Sequence, residues 1–325
     1  MREAAVTERL EYRPLTADDR PAWARLLAVS FGRSQLQMEQ LLDWFHAGFR
    51  LVTMGAWAGD RLVAQYNCRL LDLSVPGWPG PFPAGMGLNM AVDPEWRGRG
   101  LLQTVATPVH EEIARLGCLA GVGFSSVGGL AVTRASESYG YEVLGPMVST
   151  ATFLRPRRAS GGVRLELSSS WPAGRFDPPE LDDGLIRYAV TAAGLRHRFA
   201  EHPFRRYVIG AWRDGQELRG LTVHRPVRLR GIPGLGLLAA YAADGVLDAL
   251  LRAWAAAVTV RGPAVVHAVT SPSSRLRAAV RRLGPSTTVP FSHEPYHLIA
   301  RSLGGDVPPA LFELGRWDAT GGDIL

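Results

Sequence analysis

The run Ala91-Val92-Asp93-Pro94-Glu95-Trp96-Arg97-Gly98-Arg99-Gly100-Leu101-Leu102 holds the clearest chemistry in this sequence. It joins a strand-like stretch, Met86 to Val92, to a helix-like stretch, Leu101 to Leu116, through a turn at Asp93-Pro94 and a Gly/Arg loop. Such a junction is an anion site. Gly98 and Gly100 let the backbone come close to a ligand. The first amides of a helix have no intrahelical acceptor, and the helix dipole adds partial positive charge. Arg97 and Arg99 add full charges. A pyrophosphate suits this combination.

The elements that must position this loop are legible on both sides of it. Leu10 to Arg13 reads as a strand. Thr16 caps a helix running to about Ser30, with Asp18 and Asp19 at its positive end. Gln35 to Phe45 gives a second helix. Leu51 to Ala58 and Leu62 to Leu70 form a hairpin about Gly59-Asp60. Pro76 to Pro83 is irregular. After the loop and its helix come a strand at Leu119 to Phe124, a helix at Gly129 to Tyr139 broken by Gly140-Tyr141, and a strand at Met147 to Phe153.

Pro156 to Asp183 is rich in Arg, Ser, Gly, Pro and Asp and reads as a linker. The alternation then returns: a hairpin from Tyr207 to Leu229, a strand at Gly236 to Tyr241, a helix at Gly245 to Thr259 and a strand at Ala264 to Thr270. A helix at Ser273 to Leu283 and a last strand at Pro290 to Ala300 complete it. Between Tyr241 and Gly245 there is no Arg-x-x-Gly loop, so the second half repeats the topology without the anion site.

Composition narrows the classes. At 325 residues the chain suggests two domains. No apolar run reaches membrane-spanning length, and Met1-Arg2-Glu3-Ala4 opens no apolar leader, so a cytoplasmic, non-membrane protein is expected. The net charge is +6, yet all 36 basic residues are arginine. Lysine chemistry, including Schiff bases and Walker-type loops, is thereby excluded. The arginines are scattered, so no nucleic-acid partner is expected. Cys68 and Cys118 read as buried small hydrophobes. His293, Glu294 and His297 cluster, but Pro295 breaks any helical ligand spacing, and no metal is expected.

Val92-Asp93-Pro94, two residues, then Arg97-Gly98-Arg99-Gly100-Leu101-Leu102 resembles the acyl-CoA pyrophosphate loop of the GNAT acyltransferase superfamily, Gln/Arg-x-x-Gly-x-Gly/Ala. Arg97 and Gly100 fit that pattern; Leu102 departs from it. The Arg-Gly-Leu-Leu form is similar to the enhanced-intracellular-survival aminoglycoside acetyltransferases. The segment Arg196 to Tyr207 and the tail Trp317 to Asp323 are similar to parts of tandem GNAT proteins.

This resemblance implies an α/β (α+β) fold of two tandem mixed-sheet domains, the second degenerate. Residues 1–155 would bind acyl-CoA, 156–183 would link, and 184–325 would form the second domain and tail. It implies an acetyl-CoA-dependent N-acetyltransferase, with acetyl-CoA as co-substrate. The acceptor would be a small-molecule amine such as an amino sugar or aminoglycoside-like antibiotic, and the protein a monomer or homodimer. Met90, Ala91 and Val92 would line the pantetheine, and Arg97, Gly98, Arg99, Gly100, Leu101 and Leu102 would hold the pyrophosphate. The family's acid is a tyrosine in Tyr-x-x-x-Gly-Phe; here Gly140-Tyr141 follows Ser136, and Tyr139 lies beside it. Ser136 and Tyr139 are the candidate acids, and a serine hydroxyl is a much poorer proton donor than a phenol. The terminal carboxylate of Leu325 is the candidate base, with Asn89, Asp318 and Asp323 placed around the acceptor. The rival readings are a catalytically degenerate CoA-binding or scaffold protein, and an aminoacyl- or longer-chain acyltransferase.

Overall fold

The computed structural model describes residues 9–125, 138–156, 165–229, 231–243, 245–291 and 295–324. All but the end of the helix expected at Gly129 to Tyr139 lies outside them. In chain order the first elements are β1 (Leu10–Arg13), α1 (Arg20–Phe31), α2 (Gln35–Gly48), β2 (Leu51–Ala58), β3 (Arg61–Ser74), β4 (Phe82–Val92), α3 (Leu101–Arg115) and β5 (Ala120–Ser125). Local chemistry explains these ends. Asp19 accepts from the Thr16 backbone at 2.8 Å and from its hydroxyl at 3.0 Å, closing a capping box before α1. Ser34 and Gln37 do the same before α2, at 3.2 and 3.3 Å. β4 begins at Phe82, four residues earlier than its apolar run suggests, because Phe82 and Ala84 pair with Leu73 and Leu71 of β3.

The chain continues with β6 (Glu142–Pro146), β7 (Val148–Leu154), β8 (Leu165–Ser168), β9 (Arg187–Tyr188), α4 (Ala192–Phe199), β10 (Val208–Asp214), β11 (Glu217–Leu229) and β12 (Ile232–Ala242). It ends with α5 (Leu247–Val258), β13 (Ala264–Thr270), α6 (Arg275–Arg282), β14 (Ser286–Thr288) and β15 (His297–Ser302), followed by two 3-10 turns. Two mixed sheets result. One runs β1-β2-β3-β4-β5-β15-β6 with β9 on the end of β3; the other runs β14-β7-β13-β12-β11-β10-β8. Each is largely antiparallel, and each holds one parallel pair reached through a helix: β4–α3–β5 and β12–α5–β13.

The sheets exchange strands. The strand expected at Met147 to Phe153 begins one residue later and does not close the first sheet. It pairs with β13 from Ala264↔Leu154 to Thr270↔Val148. The last strand, β15, enters the first sheet between β5 and β6 instead. Met147 marks the crossing: it is buried, and its amide donates to Tyr296 O at 2.7 Å. Apolar pattern alone cannot say which sheet a strand joins, because both sheets bury it alike.

Helices cover both faces of each sheet. Leu101, Val105, Val109 and Ile113 recur every four residues on α3 and pack under β2 and β3, while α1 and α2 cover the other face. The tail lies between the two sheets. Trp317 is fully buried and donates from Nε1 to Leu311 O at 3.0 Å. Beyond it, Gly321 and Gly322 donate to Val269 and Leu238 at 2.7 and 2.8 Å. No helix among the described residues is long and apolar enough to cross a membrane.

Candidate active site

The anion loop is fixed from below. Asp93 accepts from Glu95 N at 3.1 Å, starting a short 3-10 turn over Pro94–Trp96, and takes Arg61 Nη2 at 2.7 Å. Trp96 is buried beneath α3, and the Arg99 guanidinium lies 4.4 Å from its ring centre. Gly98 and Gly100 stand at φ +77° and +74°, and a Cβ at either would meet nothing within 4 Å. Backbone conformation, not crowding, asks for glycine there. Gln103 and Thr104 donate back to Gly100 O at 3.1 and 3.3 Å, leaving the amides of Leu101 and Leu102 at the helix mouth. Arg97 is exposed, with its Nε on Val92 O at 3.3 Å. Neither Arg97 nor Arg99 is in an ion pair among the described residues, so both charges are available at the loop.

Upstream, β4 parts from its parallel neighbour. The two strands pair only from Ala84↔Ala120 to Met86↔Val122. Beyond Met86 the β5-facing edge of β4 is open, and Met90 is exposed while Ala91 is buried. The register with β3 slips between Gln65 and Asn67, and Asn89 at that bulge has φ +44°. The Gln65 side chain, fully buried, donates to Asn89 O and pins the bulge. A bulge re-aims backbone groups at a chosen point. Gln65 gives no sequence signal, since a lone glutamine on an apolar strand reads as a misfit.

The candidate acids separate. Ser136 lies outside the described residues. Tyr139 is half-buried against the α3 cluster, and burial is the main cause that raises its phenol, so it stays protonated. Its carbonyl takes Arg301 Nη1 of β15. The same nitrogen reaches His110 Nδ1 at 2.9 Å, and His110 Nε2 faces the hydroxyls of Tyr66 and Tyr141 at 3.2 and 3.3 Å. Arginine only donates, so Nδ1 is the acceptor and Nε2 carries the hydrogen. Burial, then Arg301, lowers His110 to about 4, and it is neutral at pH 7. A strand from the end of the chain thus holds the Tyr139–Tyr141 turn of the first half. Nothing in the spacing of Arg301 and His110 announces this.

The tail residues are ordered rather than frayed. Asp318 accepts Arg187 Nε and the Arg275 amide, both at 3.2 Å. Asp323 accepts the Thr320 amide and hydroxyl at 2.7 and 3.0 Å, and burial raises its carboxyl. Ile324 and Asn89 line one cavity of about 830 Å³ between the sheets, whereas Asp318 and Asp323 line a second, of about 540 Å³. Leu325 lies outside the described residues, as do His293 and Glu294. The described residues hold no group of three metal-ligating side chains.

Residues 11–144 match the acetyltransferase (GNAT) domain family. The sequence matches no curated protein. Among solved structures, a GCN5-related N-acetyltransferase from Anabaena variabilis is similar over 91% of this chain and 73% of its own, at 13% identity and TM-score 0.64. Eis1 from Mycobacterium abscessus is similar over 91% and 74%, at 13% identity and TM-score 0.57. A tandem GNAT protein from the clavulanic acid biosynthesis pathway is similar over 92% of this chain and 100% of its own, at 13% identity and TM-score 0.54. Residues 11–144 thus match a GNAT acetyltransferase domain, and over most of its length the chain has the fold of tandem-GNAT proteins.

Proposed function

We propose that the protein is an acetyl-CoA-dependent N-acetyltransferase acting on a primary amine of a polar small molecule. The observation that carries this is the cradle of Gly98 to Leu102 at the end of a strand whose open edge begins at Met86. Residues 1–155 would bind acetyl-CoA, with Met90, Ala91 and Val92 along the pantetheine and Arg97 to Leu102 at the pyrophosphate. Residues 184–325 would form the second, degenerate domain, completed by β7 and by β8 within the 156–183 linker, and would lend β15 and the tail to the first. The acceptor would be a free small molecule, with no nucleic acid or membrane involved, and the protein a cytoplasmic monomer or homodimer.

The amine lone pair attacks the thioester carbonyl carbon, the C–S bond breaks, and the thiolate takes a proton. Tyr139 is proposed as that proton's donor, because a protonated phenol is a better acid than the hydroxyl of Ser136. Asn89 would position the amine at the bulge. The amine's own proton leaves to a carboxylate, for which Leu325 is proposed; Ile324, next to it, lines the same cavity as Asn89. Asp318 and Asp323 would shape the tail that closes the site. The test is CoA release with acetyl-CoA across an amine library that includes amino sugars and aminoglycosides. Tyr139→Phe is expected to lower kcat about a hundredfold with KM for acetyl-CoA unchanged. CoA binding without any amine-dependent release would favour the second reading, a degenerate CoA-binding protein. One observation supports that reading: no aspartate or glutamate lines the cavity beside Asn89 among the described residues.

A further inference from the structure

The cavity of about 830 Å³ beside Asn89 carries an unusual balance of charge. Arg33, Arg198, Arg205, Arg225 and Arg228 open onto it, and its described lining contains neither aspartate nor glutamate. None of these five guanidinium groups has a carboxylate oxygen within 4 Å among the described residues. Four of the five come from the second half. Arg198 on α4 is enclosed by protein and open to cavity space; Arg225 is on β11; Arg205 lies on the loop between them. Arg225 Nε is buried and meets no acceptor. The acid acting on Arg198 at longer range is Asp323, which already accepts both Thr320 donors.

His202 sits among these arginines and adds a further donor. The amides of Phe204 and Arg205 both donate to its Nδ1 at 3.1 Å, so Nε2 bears the hydrogen of the neutral ring. Its ring packs 4.7 Å from that of Trp44, which fixes its direction. Burying guanidinium groups without counter-charges is costly, and arginine's planar fork matches carboxylate and phosphate oxygens. A cavity so lined suits an anionic group.

We propose that the acceptor is an amine that also bears an acidic group, a carboxylate or a phosphate, which Arg198, Arg205 and Arg225 bind while the amine lies toward Asn89. This rests on the acetyltransferase reading and narrows it: polycationic aminoglycosides are poor acceptors, and acidic amino sugars or amino acids are good ones. No bond to the anion forms or breaks; it is held as a recognition handle.

The test uses matched amines with acetyl-CoA: glucosamine 6-phosphate against glucosamine, glutamate against its diamide, and kanamycin as the polycation. The expected result is that an acidic amine exceeds its neutral partner by about a hundredfold in kcat/KM, the phosphate and carboxylate arms telling the two sources apart. Arg225→Gln and the exposed Arg205→Gln should each remove about tenfold of that preference, with KM for acetyl-CoA unchanged. Neutral amines or kanamycin matching the acidic ones, or a preference untouched in both variants, would overturn the proposal. Calorimetry with CoA-saturated protein separates the two readings. Binding of glucosamine 6-phosphate or glutamate that is lost in Arg225→Gln supports the anion site even if no amine is acetylated. CoA binding with no acidic amine bound or acetylated overturns the anion site and leaves the CoA assignment standing.

Discussion

The two strand–helix–strand crossovers have the same connectivity and opposite electrostatics. Between β4 and α3 the chain spends eight residues, turns twice through left-handed glycines and leaves two arginines and two amides at the helix mouth. Between β12 and α5 it spends only four, Ala243 to Val246. Val246 N donates to Ala243 O at 3.1 Å, and Asp248 stands in the first turn of α5, bound to Arg282 at 2.6 Å. A carboxylate there already satisfies the positive end of the helix. The same fold therefore builds an anion cradle in one half and closes it in the other. Two basic groups of the second half, Arg198 and Arg225, line the cavity between the sheets instead.

The largest effect expected concerns whether these halves are separate units. Trp317 is buried among residues of the first sheet, while the residues after it bond to the second. Trp317→Ala should cost about 3–5 kcal/mol. Because β7 and β15 are exchanged, denaturant unfolding should shift as one transition. Two resolved transitions, only one of them moved, would show the halves to be independent.

Next comes the contrast itself. Gly100→Asp puts a carboxylate where a pyrophosphate would sit, and CoA affinity by calorimetry should fall about a hundredfold, near 3 kcal/mol. Gly245, at φ +73° in the other crossover, offers the matched control. Gly245→Asp should leave CoA affinity unchanged. Equal losses from both would erase the distinction between the crossovers.

A third comparison rests on two buried histidines. His110 under the first sheet and His224 in the second, which accepts Trp254 Nε1 at 3.1 Å, are both lowered to about 4, chiefly by burial. The unfolded chain, with an ordinary imidazole near 6.5, takes up the proton first as pH falls. Stability is full above about 6.5, is lost down to about 4, and levels off below. Each histidine contributes up to about 3 kcal/mol of this slope. His110→Gln keeps an acceptor for Arg301 and a donor for the tyrosines, and it should flatten the pH profile of the denaturation midpoint between 7 and 5. An unchanged slope would place the acid sensitivity elsewhere.

The smallest effect belongs to the loop arginines. Arg97→Ala and Arg99→Ala should each weaken CoA by about 1 kcal/mol, less at high salt, because both side chains are exposed. Titration at two ionic strengths measures it; loss of a hundredfold would mean that the side chains, not the amides, hold the phosphates.

The sequence by itself determined the turns and caps. Asp93-Pro94, Gly98 and Gly100 specify the turn, the left-handed loop and the start of α3, because each acts within a few residues of itself. Thr16 with Asp19 and Ser34 with Gln37 likewise fix where helices begin. The tertiary structure alone decided which sheet β7 and β15 join, since strands with one apolar pattern can serve either. It alone brought Arg301 to His110 and Tyr139, 191 and 162 residues back along the chain. It also gathered Arg198, Arg205 and Arg225 around a cavity that no spacing reveals. They look scattered along the chain because strand pairing and helix packing, which no local pattern encodes, bring them to one cavity.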